Sequence, residues 1–325
     1  MANELQYTGG SVNLSNLITT SIRRKFVPIL RNKLRFSPYG KKGKLTLHGG
    51  AKVLRWNRFD DIGTYTTALT ENTLSNENKV NTLTVTAVLM TLSDYGAYAP
   101  ISDLANSVWT TETRNEYASI FAYSGAKTKD TLERNAAQDT TNYFIAGQTA
   151  VNGGATPATA ASTAIAQDLN VIRGFFDQND CDGFDSLDGN YALFIHGEVE
   201  QDMVGDVTTT RLSWSPLIQN VNPQAGRITA YKGPGALLGM AVMRTNNIQQ
   251  ETLTNTITAY TCVALADYGF GVTTMDQSEP RIIMKRPGNS TLSVPLDTYG
   301  TIGWKMRMAQ GLLDSNRALR YYAAK

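Results

Sequence analysis

The 325-residue sequence is poor in the residues on which most enzymes and metal sites depend, because it contains only two histidines and two cysteines. Cys181 and Cys262 are too few for a disulfide framework, and they fit a chain made in a reducing cytoplasm. The spacings that mark zinc sites, serine-hydrolase elbows and nucleotide phosphate loops are missing. We therefore expect neither catalytic residues nor a bound cofactor.

Long apolar runs are also missing. The longest covers about residues 235–243, between Lys232 and Arg244, whereas about 20 residues are needed to cross a bilayer. The first six residues contain no basic region followed by an apolar one, so no signal peptide is predicted. We expect no membrane among the partners of this protein.

The two histidines do not indicate catalysis. His48 lies in a glycine-rich segment, where an exposed position is expected. His196 ends the short apolar run 191–196, so a hydrogen-bonded core position is favoured over a catalytic one.

Charge is distributed unevenly, although the net charge is only +2. Residues 1–60 hold twelve Lys and Arg against two acids, 12 − 2 = +10, and residues 161–210 hold one Arg against ten acids, 1 − 10 = −9. Three interpretations stay open: head-to-tail association of copies, a basic arm that faces nucleic acid, and uneven surface charge alone. The basic residues expected at contacts between copies are Arg23, Arg24, Lys25, Lys41, Lys42, Lys44, Arg55 and Arg58.

A long helix is predicted over about residues 113–146, a stretch without proline. The capping box that begins at Thr113 starts this helix, and Gly147 is its predicted end. At 1.5 Å per residue the helix would be roughly 50 Å long. Asp130 and Arg134 are expected to pair on its exposed face. A solitary helix of this length is more typical of a strut in a shell or filament than of an enzyme.

Extended structure is predicted on both sides of this helix. The basic segment 39–50 and the partly alternating segment 53–59 are predicted to form a thin β-hairpin with little core of its own. A second helix is predicted from the spacing of Ile165, Leu169, Ile172 and Phe176. Strands are predicted at 84–90, 191–196, 227–231, 236–243, 256–266, 281–286 and 302–308. The pattern indicates an α+β fold with residues 148–255 as an insertion.

The last of these strands alternates clearly. Four apolar residues are predicted to share one face of the strand, with Lys305 and Arg307 on the other. The apolar residues are Ile302, Trp304, Met306 and Met308.

One acidic segment has the composition of a metal-binding loop. Its four carboxylates are Asp180, Asp182, Asp185 and Asp188. Calcium prefers several such oxygens on a tight loop, but Gly183 falls at the fourth loop position instead of the sixth, and Tyr191 replaces the glutamate of the twelfth. An acidic turn that faces solvent or a basic neighbour is therefore favoured over a calcium site.

Four short motifs in order resemble those of one protein family. They are Leu69-Thr70-Glu71, with Asn72 in place of glycine; the segment from Val85-Thr86-Ala87 through Asp94-Tyr95-Gly96 to Ile101-Ser102-Asp103; Ile195-His196-Gly197, with glycine in place of proline; and Gly300-Thr301-Ile302-Gly303-Trp304-Lys305. On these motifs the chain resembles the major capsid proteins of tailed bacteriophages with the Hong Kong 97-type fold, and within them the coat proteins of N-four-like podophages.

The resemblance implies a flat, L-shaped shell subunit. An N-terminal arm would take residues 1–35, and an extended β-hairpin loop at 36–80 would reach over a neighbouring subunit. A peripheral domain would take 81–147 and 256–325, with the long helix as its spine, and residues 148–255 would form an axial domain. Copies would form hexamers and pentamers of an icosahedral shell around double-stranded DNA.

The resemblance also implies partners and a location. A scaffolding protein and a portal would take part in assembly in the host bacterial cytoplasm, and a decoration protein could bind the finished virion capsid. The DNA would be held without sequence specificity.

Three other interpretations are kept. One is an encapsulin-like bacterial nanocompartment shell with the same fold, and another is a β-rich surface-binding protein. A hydrolase that uses the acidic segment is disfavoured, since no second catalytic group can be named.

Overall fold

The fold is described from a computed structural model. It describes residues 35–45, 51–59, 66, 84–104, 111–153, 162–205, 236–252, 258–275, 281–285 and 299–324. All of them belong to one structural unit, 32–325. Arg23, Arg24, Lys25 and His48, the motif at 69–71 and the strand predicted at 227–231 lie outside the described residues.

The described residues form strands and a few helices, so the predicted α+β fold is confirmed. The strands are β1 Lys41–Leu45, β2 Val53–Phe59, β3 Val85–Thr91, β4 Ser93–Ser102, β5 Tyr143–Ile145, β6 Tyr191–Ile195, β7 Ala236–Leu237, β8 Met240–Arg244, β9 Gln249–Thr252, β10 Thr258–Leu265, β11 Phe270–Met275, β12 Arg281–Lys285, β13 Tyr299–Leu312 and β14 Ala318–Ala324. The helices are α1 Thr111–Gln138, α2 Asp168–Gln178 and α3 Gly197–Gly205.

A seven-stranded mixed sheet has the order β5-β14-β10-β6-β8-β7, with β9 also paired to β10. β6 is buried on both faces and β10 almost wholly so, as expected of apolar runs at the centre of a covered sheet. The strands of this sheet come from residues 143–145, 191–195, 236–252, 258–265 and 318–324. The domain boundary expected at residue 256 therefore runs through one sheet, because β10 pairs with β6.

The strand predicted at 236–243 is interrupted. Leu238 and Gly239 both have positive φ, 53° and 77°, and they form the two-residue turn of a hairpin between β7 and β8. The sequence pattern alone did not reveal this turn, because it contains no asparagine or aspartate.

A five-stranded sheet is built around β13. It has the order β1-β11-β13-β12, and β4 also pairs with β13. The predicted alternation of β13 is confirmed, since Ile302, Trp304, Met306 and Met308 are buried. Lys305 and Arg307 are half-exposed on the opposite face.

The hairpin predicted from 39–59 is wrong. β1 pairs in parallel with β11, so its hydrogen bonds lie in the five-stranded sheet. β2 instead pairs antiparallel with β3, from Val53 opposite Thr91 to Phe59 opposite Val85. The two strands of the β2–β3 hairpin are thus joined by residues 60–84 of the sequence.

Helix α1 begins two residues before the predicted capping box and ends at Gln138, not at 146. The chain leaves the helix because the Thr140 hydroxyl donates to the carbonyl oxygens of Ser315 and Ala318. β5 then pairs in parallel with β14 and buries Phe144. The helix is therefore about 42 Å long, and none of the described helices is long and apolar enough to cross a membrane.

Helix α2 follows its prediction closely. Leu169, Ile172 and Phe176 are fully buried in the main core. Ile165 lies before the first turn and is only partly buried.

Candidate functional site

The middle of α1 holds a buried carboxylate that joins three parts of the chain. Asp130 is 1% exposed. Its Oδ1 accepts the backbone N–H groups of Arg35 and Phe36, each at 2.9 Å, and its Oδ2 accepts the Asn247 amide at 2.7 Å. A buried carboxylate with several donors is well compensated. The pairing with Arg134 on an exposed face, expected from the sequence, is therefore wrong.

The segment that Asp130 holds is the entry to β1. Phe36 is fully buried and stacks on Phe194 of β6, with ring centroids 4.4 Å apart. Tyr39 packs edge-on against Phe184 and Phe194. The chain that leads out of the N-terminal region is thus fixed at residues 35–39, between the long helix and the central sheet.

A second buried carboxylate lies one turn further along α1. Glu133 is also 1% exposed, and the Lys129 ammonium is 4.0 Å from its Oε1. Its Oε2 has no hydrogen-bond partner among the described residues. Burial is the main reason that the pKa of Glu133 is raised to about 7, with Asp130 adding to this and Lys129, Ser37 and Lys42 opposing it.

Helix α1 packs on the five-stranded sheet through β13. The Trp304 ring lies against Gly125, where an added Cβ would stand 3.2 Å from the ring. Its indole N–H donates to the Ser124 hydroxyl at 3.3 Å. A glycine at this point allows the helix and the strand to approach closely.

The β2–β3 hairpin has a small core and an exposed apolar face. Leu54, Trp56 and Val88 pack against a cluster of buried residues, Leu45, Met90, Leu92 and Ala309. The opposite face leaves Phe59 63% and Leu89 65% exposed, with Val53 and Val85 also exposed. Such a face on a two-stranded element is typical of a surface that another chain covers.

Three of the basic residues expected at contacts between copies contact other residues of their own chain. The Lys41 ammonium lies 3.7 Å from the centroid of the Tyr268 ring. Arg55 donates to Asn57 at 2.7 Å, and Arg58 pairs with Asp314 at 3.0 Å. Lys42 and Lys44 are exposed on β1. No single cluster is formed by these five.

The four carboxylates of the predicted metal loop do not converge. Within the described ranges, no group of three or more His, Cys, Asp and Glu side chains could hold a metal. The loop is instead a closed turn, because the Phe184 N–H donates to Asn190 and the Tyr191 hydroxyl contacts Asp177 and the Cys181 carbonyl. Asp182 lies 3.9 Å from Arg317, which fits the alternative of an acidic turn beside a basic neighbour.

The remaining reactive groups are placed for packing. His196 is half-buried and stacks on Tyr260, whose hydroxyl donates to Glu198. Both cysteines are buried and free, and burial raises the pKa of Cys181 to about 11 and that of Cys262 to about 12. Thiols in such surroundings are poor nucleophiles at neutral pH.

The comparisons agree on one class of fold. The structure is similar to the capsid of the cyanophage P-SCSP1u, with a TM-score of 0.65 and 13% identity over 97% of this chain and 96% of that chain. It is similar to the capsid of Ralstonia phage GP4, with a TM-score of 0.65 and 10% identity over 100% and 99%. The capsid of Helicobacter pylori bacteriophage KHP30 has a TM-score of 0.64 and 9% identity over the whole of both chains.

This chain therefore has the fold of phage capsid proteins. The sequence itself matches no known protein family and no curated protein. Two features of this fold are candidates for function, namely the Asp130 joint and the exposed hairpin face.

Proposed function

We propose that this chain is the major capsid protein of a tailed bacteriophage, in the N-four-like podophage branch. Copies of it form hexamers and pentamers that close into an icosahedral shell around double-stranded DNA. The fold supports this proposal, because solved structures of phage capsids share it over nearly the whole chain.

The observation that carries the proposal is the exposed apolar face of the β2–β3 hairpin. Phe59 and Leu89 are more than half exposed on an element with a very small core of its own. A monomer gains nothing from presenting these side chains to water, whereas a neighbouring copy that covers them removes apolar surface from solvent. We assign the hairpin to the extended loop that reaches over the adjacent subunit.

The other parts of the subunit follow from this assignment. The peripheral domain takes residues 81–147 and 256–325, with α1 as its spine, and the axial domain takes residues 148–255. The N-terminal arm takes residues 1–35, and the Asp130 joint holds the last of these, Arg35. Lys42 and Lys44 are exposed on β1, and we propose them among the basic contacts with another copy.

A capsid protein of this kind has partners during assembly and in the finished particle. A scaffolding protein and a portal act during assembly in the bacterial cytoplasm, the finished protein resides in the virion capsid, and a decoration protein binds some shells of this kind. The DNA is held by non-specific charge interactions, so its retention falls with salt. The protein acts as a structural component and not as an enzyme.

The test is the state of the purified protein. Sedimentation velocity and negative-stain imaging are expected to show megadalton shells, or hexamers that become shells when the scaffolding protein is co-expressed. Nuclease-protected DNA inside particles recovered from infected cells distinguishes a phage head from a nanocompartment that carries protein cargo. A monomer at every concentration, with and without scaffolding protein, would overturn the proposal.

A further inference from the structure

One face of the five-stranded sheet is not covered by α1. Side chains on paired strands share a face when their residues are directly opposite. The register places Arg281 opposite Lys305 and Ile283 opposite Gly303 on β12 and β13. It also places Tyr98 opposite Gly303 and Asp94 opposite Arg307 on β4 and β13. Trp304, which packs on α1, points to the other side of the sheet.

The part of this side that is formed by β4, β12 and β13, which we call the basic sheet face, carries a net positive charge. Its charged residues in the described part of the chain are Arg281, Lys285, Lys305, Arg307 and Asp94, 4 − 1 = +3. Asp94 pairs with Lys305 at 3.4 Å and with Arg307 at 2.5 Å. Arg281 and Lys285 are exposed on β12.

The basic sheet face also contains a groove of about 280 Å³, lined by Tyr98, Ile283 and Lys305 among others. Its floor is bare backbone at Gly96 and Gly303, where an added Cβ would stand 2.7 Å and 2.6 Å from the carbonyl oxygens of Trp304 and Ala97. Tyr98 is 77% exposed at the edge of the groove. A preformed groove with one exposed aromatic and flanking cations suits an acidic protein segment.

An acidic segment of this kind lies elsewhere on the same chain, away from the groove. The acidic loop, residues 180–188, leaves Asp180, Asp182, Asp185 and Asp188 exposed, and Asp182 is 83% exposed. The loop is closed on itself, because Gly183 lies so close to Gly189 that an added Cβ would stand 2.0 Å from its carbonyl oxygen. A loop that is already ordered loses little conformational entropy when it binds.

The acidic loop does not reach the groove within one copy, although its Asp185 acts on Lys41 at the β1 end of the same sheet. The acidic loop contacts Arg317, beyond the C-terminal end of β13, while the groove lies at Gly303 and Lys305. Lys305 and Leu312 are seven residues apart on one strand, so they are separated by about 23 Å. An ion pair needs a separation of about 4 Å, so only another copy can supply the acidic loop.

We propose that the acidic loop of one copy docks on the basic sheet face of the next copy. The contact is heterologous, so it repeats around a ring of copies instead of closing a two-fold dimer. Charge complementarity favours it, since each copy offers one surface of each sign. This inference rests on the proposed shell function and names one of the contacts between subunits.

The test is a charge-swap series in the full-length protein, assembled as the wild type is. One variant carries Arg281→Glu and Lys285→Glu, a second carries Asp182→Lys and Asp185→Lys, and a third carries all four changes. Lys127→Glu, at an exposed position of α1, is the matched control. Circular dichroism and thermal unfolding verify that each variant folds.

Each two-residue reversal places like charges opposite each other, and we expect the fraction of protein in assemblies to fall more than about tenfold. The four-residue variant is expected to recover assembly, and Lys127→Glu to assemble like the wild type. If the reversals assemble normally while the wild type forms shells, the docking contact is wrong and the proposed function stands. Failure of the wild type to assemble under any condition rejects both.

Two further outcomes reject the docking contact alone. In the first, both reversals block assembly of folded protein but the four-residue variant is not rescued, so the two surfaces bind different partners. In the second, reversal of Arg281 and Lys285 leaves assembly intact and lowers only the retention of a DNA duplex. The basic sheet face would then contact nucleic acid.

Discussion

Asp130 accepts the backbone N–H groups of Arg35 and Phe36 through one and the same oxygen, each at 2.9 Å. These residues are 95 and 94 positions apart from it in the sequence. The long helix therefore determines where the chain leaves the N-terminal region.

Replacing Asp130 with alanine is expected to leave three donors without an acceptor, two of them buried and that of Arg35 partly buried. Because each unsatisfied donor costs about 1–3 kcal/mol, the free energy of unfolding should fall by about 3 kcal/mol or more. Urea unfolding followed by circular dichroism measures this. Asp139→Ala, an exposed carboxylate just beyond the same helix, should change it by less than about 0.5 kcal/mol. Equal effects of the two substitutions would contradict the joint.

The pH dependence of stability should carry the signature of Glu133. Its folded pKa, about 7, is above the ordinary value of 4.5, so the folded state binds the proton more tightly than the unfolded chain. Stability is therefore full below about pH 4.5, declines as pH rises to about 7, and stays low above it. The decline attributable to this group is about 3 kcal/mol.

Glu133→Gln should remove that part of the decline and raise stability at pH 8, since a neutral amide is not penalised by burial in the same way. Urea unfolding at pH 5 and pH 8 gives the comparison. Asp139→Asn, the exposed control, should follow the wild-type profile. A wild-type pH profile in Glu133→Gln would show that Glu133 is not the group responsible.

Continuity of α1 is expected to be essential for assembly. Leu132→Pro removes a hydrogen bond in the interior of the helix and should cost about 3 kcal/mol or more, with loss of shells in negative stain. Leu132→Ala keeps the helix and shortens one partly buried side chain, so it should destabilise the subunit less and still assemble. If the alanine variant fails as completely as the proline variant, the side chain matters and not the helix.

The exposed face of the hairpin should matter for association but not for folding. Leu89→Asp places a charge where we expect a neighbouring copy, so particle yield should drop while the free energy of unfolding changes by less than about 0.5 kcal/mol. Thr86→Asp adds the same charge at an exposed position of the same strand and removes no apolar surface. Sedimentation velocity compares the two, and equal particle yields would refute the role of the Leu89 face.

Alanine is expected to change the stability of the subunit in opposite directions at two glycines. An added Cβ at Gly183 meets the backbone of Gly189, so Gly183→Ala should destabilise the subunit by about 1–3 kcal/mol. An added Cβ at Gly174, inside α2, meets nothing within 4 Å, so Gly174→Ala should stabilise it by up to about 1 kcal/mol. Thermal unfolding of both variants verifies the sign, and a stable Gly183→Ala would show that the acidic loop is not closed.

Local patterns in the sequence were sufficient to predict a helix or strand, and its buried face, where that face is uniformly apolar. The alternation in β13, the apolar run of β6 and the spacing of Leu169, Ile172 and Phe176 were all predicted, because burial of such faces depends on period alone. The order of the four motifs also indicated the capsid fold from the sequence alone.

The predictions that were wrong concern elements whose hydrogen-bond partners lie far away in the sequence. Nothing near residue 41 indicates that β1 pairs with 271–275, more than 200 positions away. The end of α1 is set by carbonyl oxygens at 315 and 318. Asp130 looked like an exposed residue, because a carboxylate on a helix is normally solvated and its donors are contributed by residues 35, 36 and 247.

The position of β14 has a consequence for synthesis of the protein. This last strand lies between β5 and β10, so it is interior to the seven-stranded sheet. The sheet stays divided until the C-terminal residues have left the ribosome, and pairing across such sequence separations is slow. A chain cut before residue 318 would therefore lack an interior strand of this sheet, and not merely an edge.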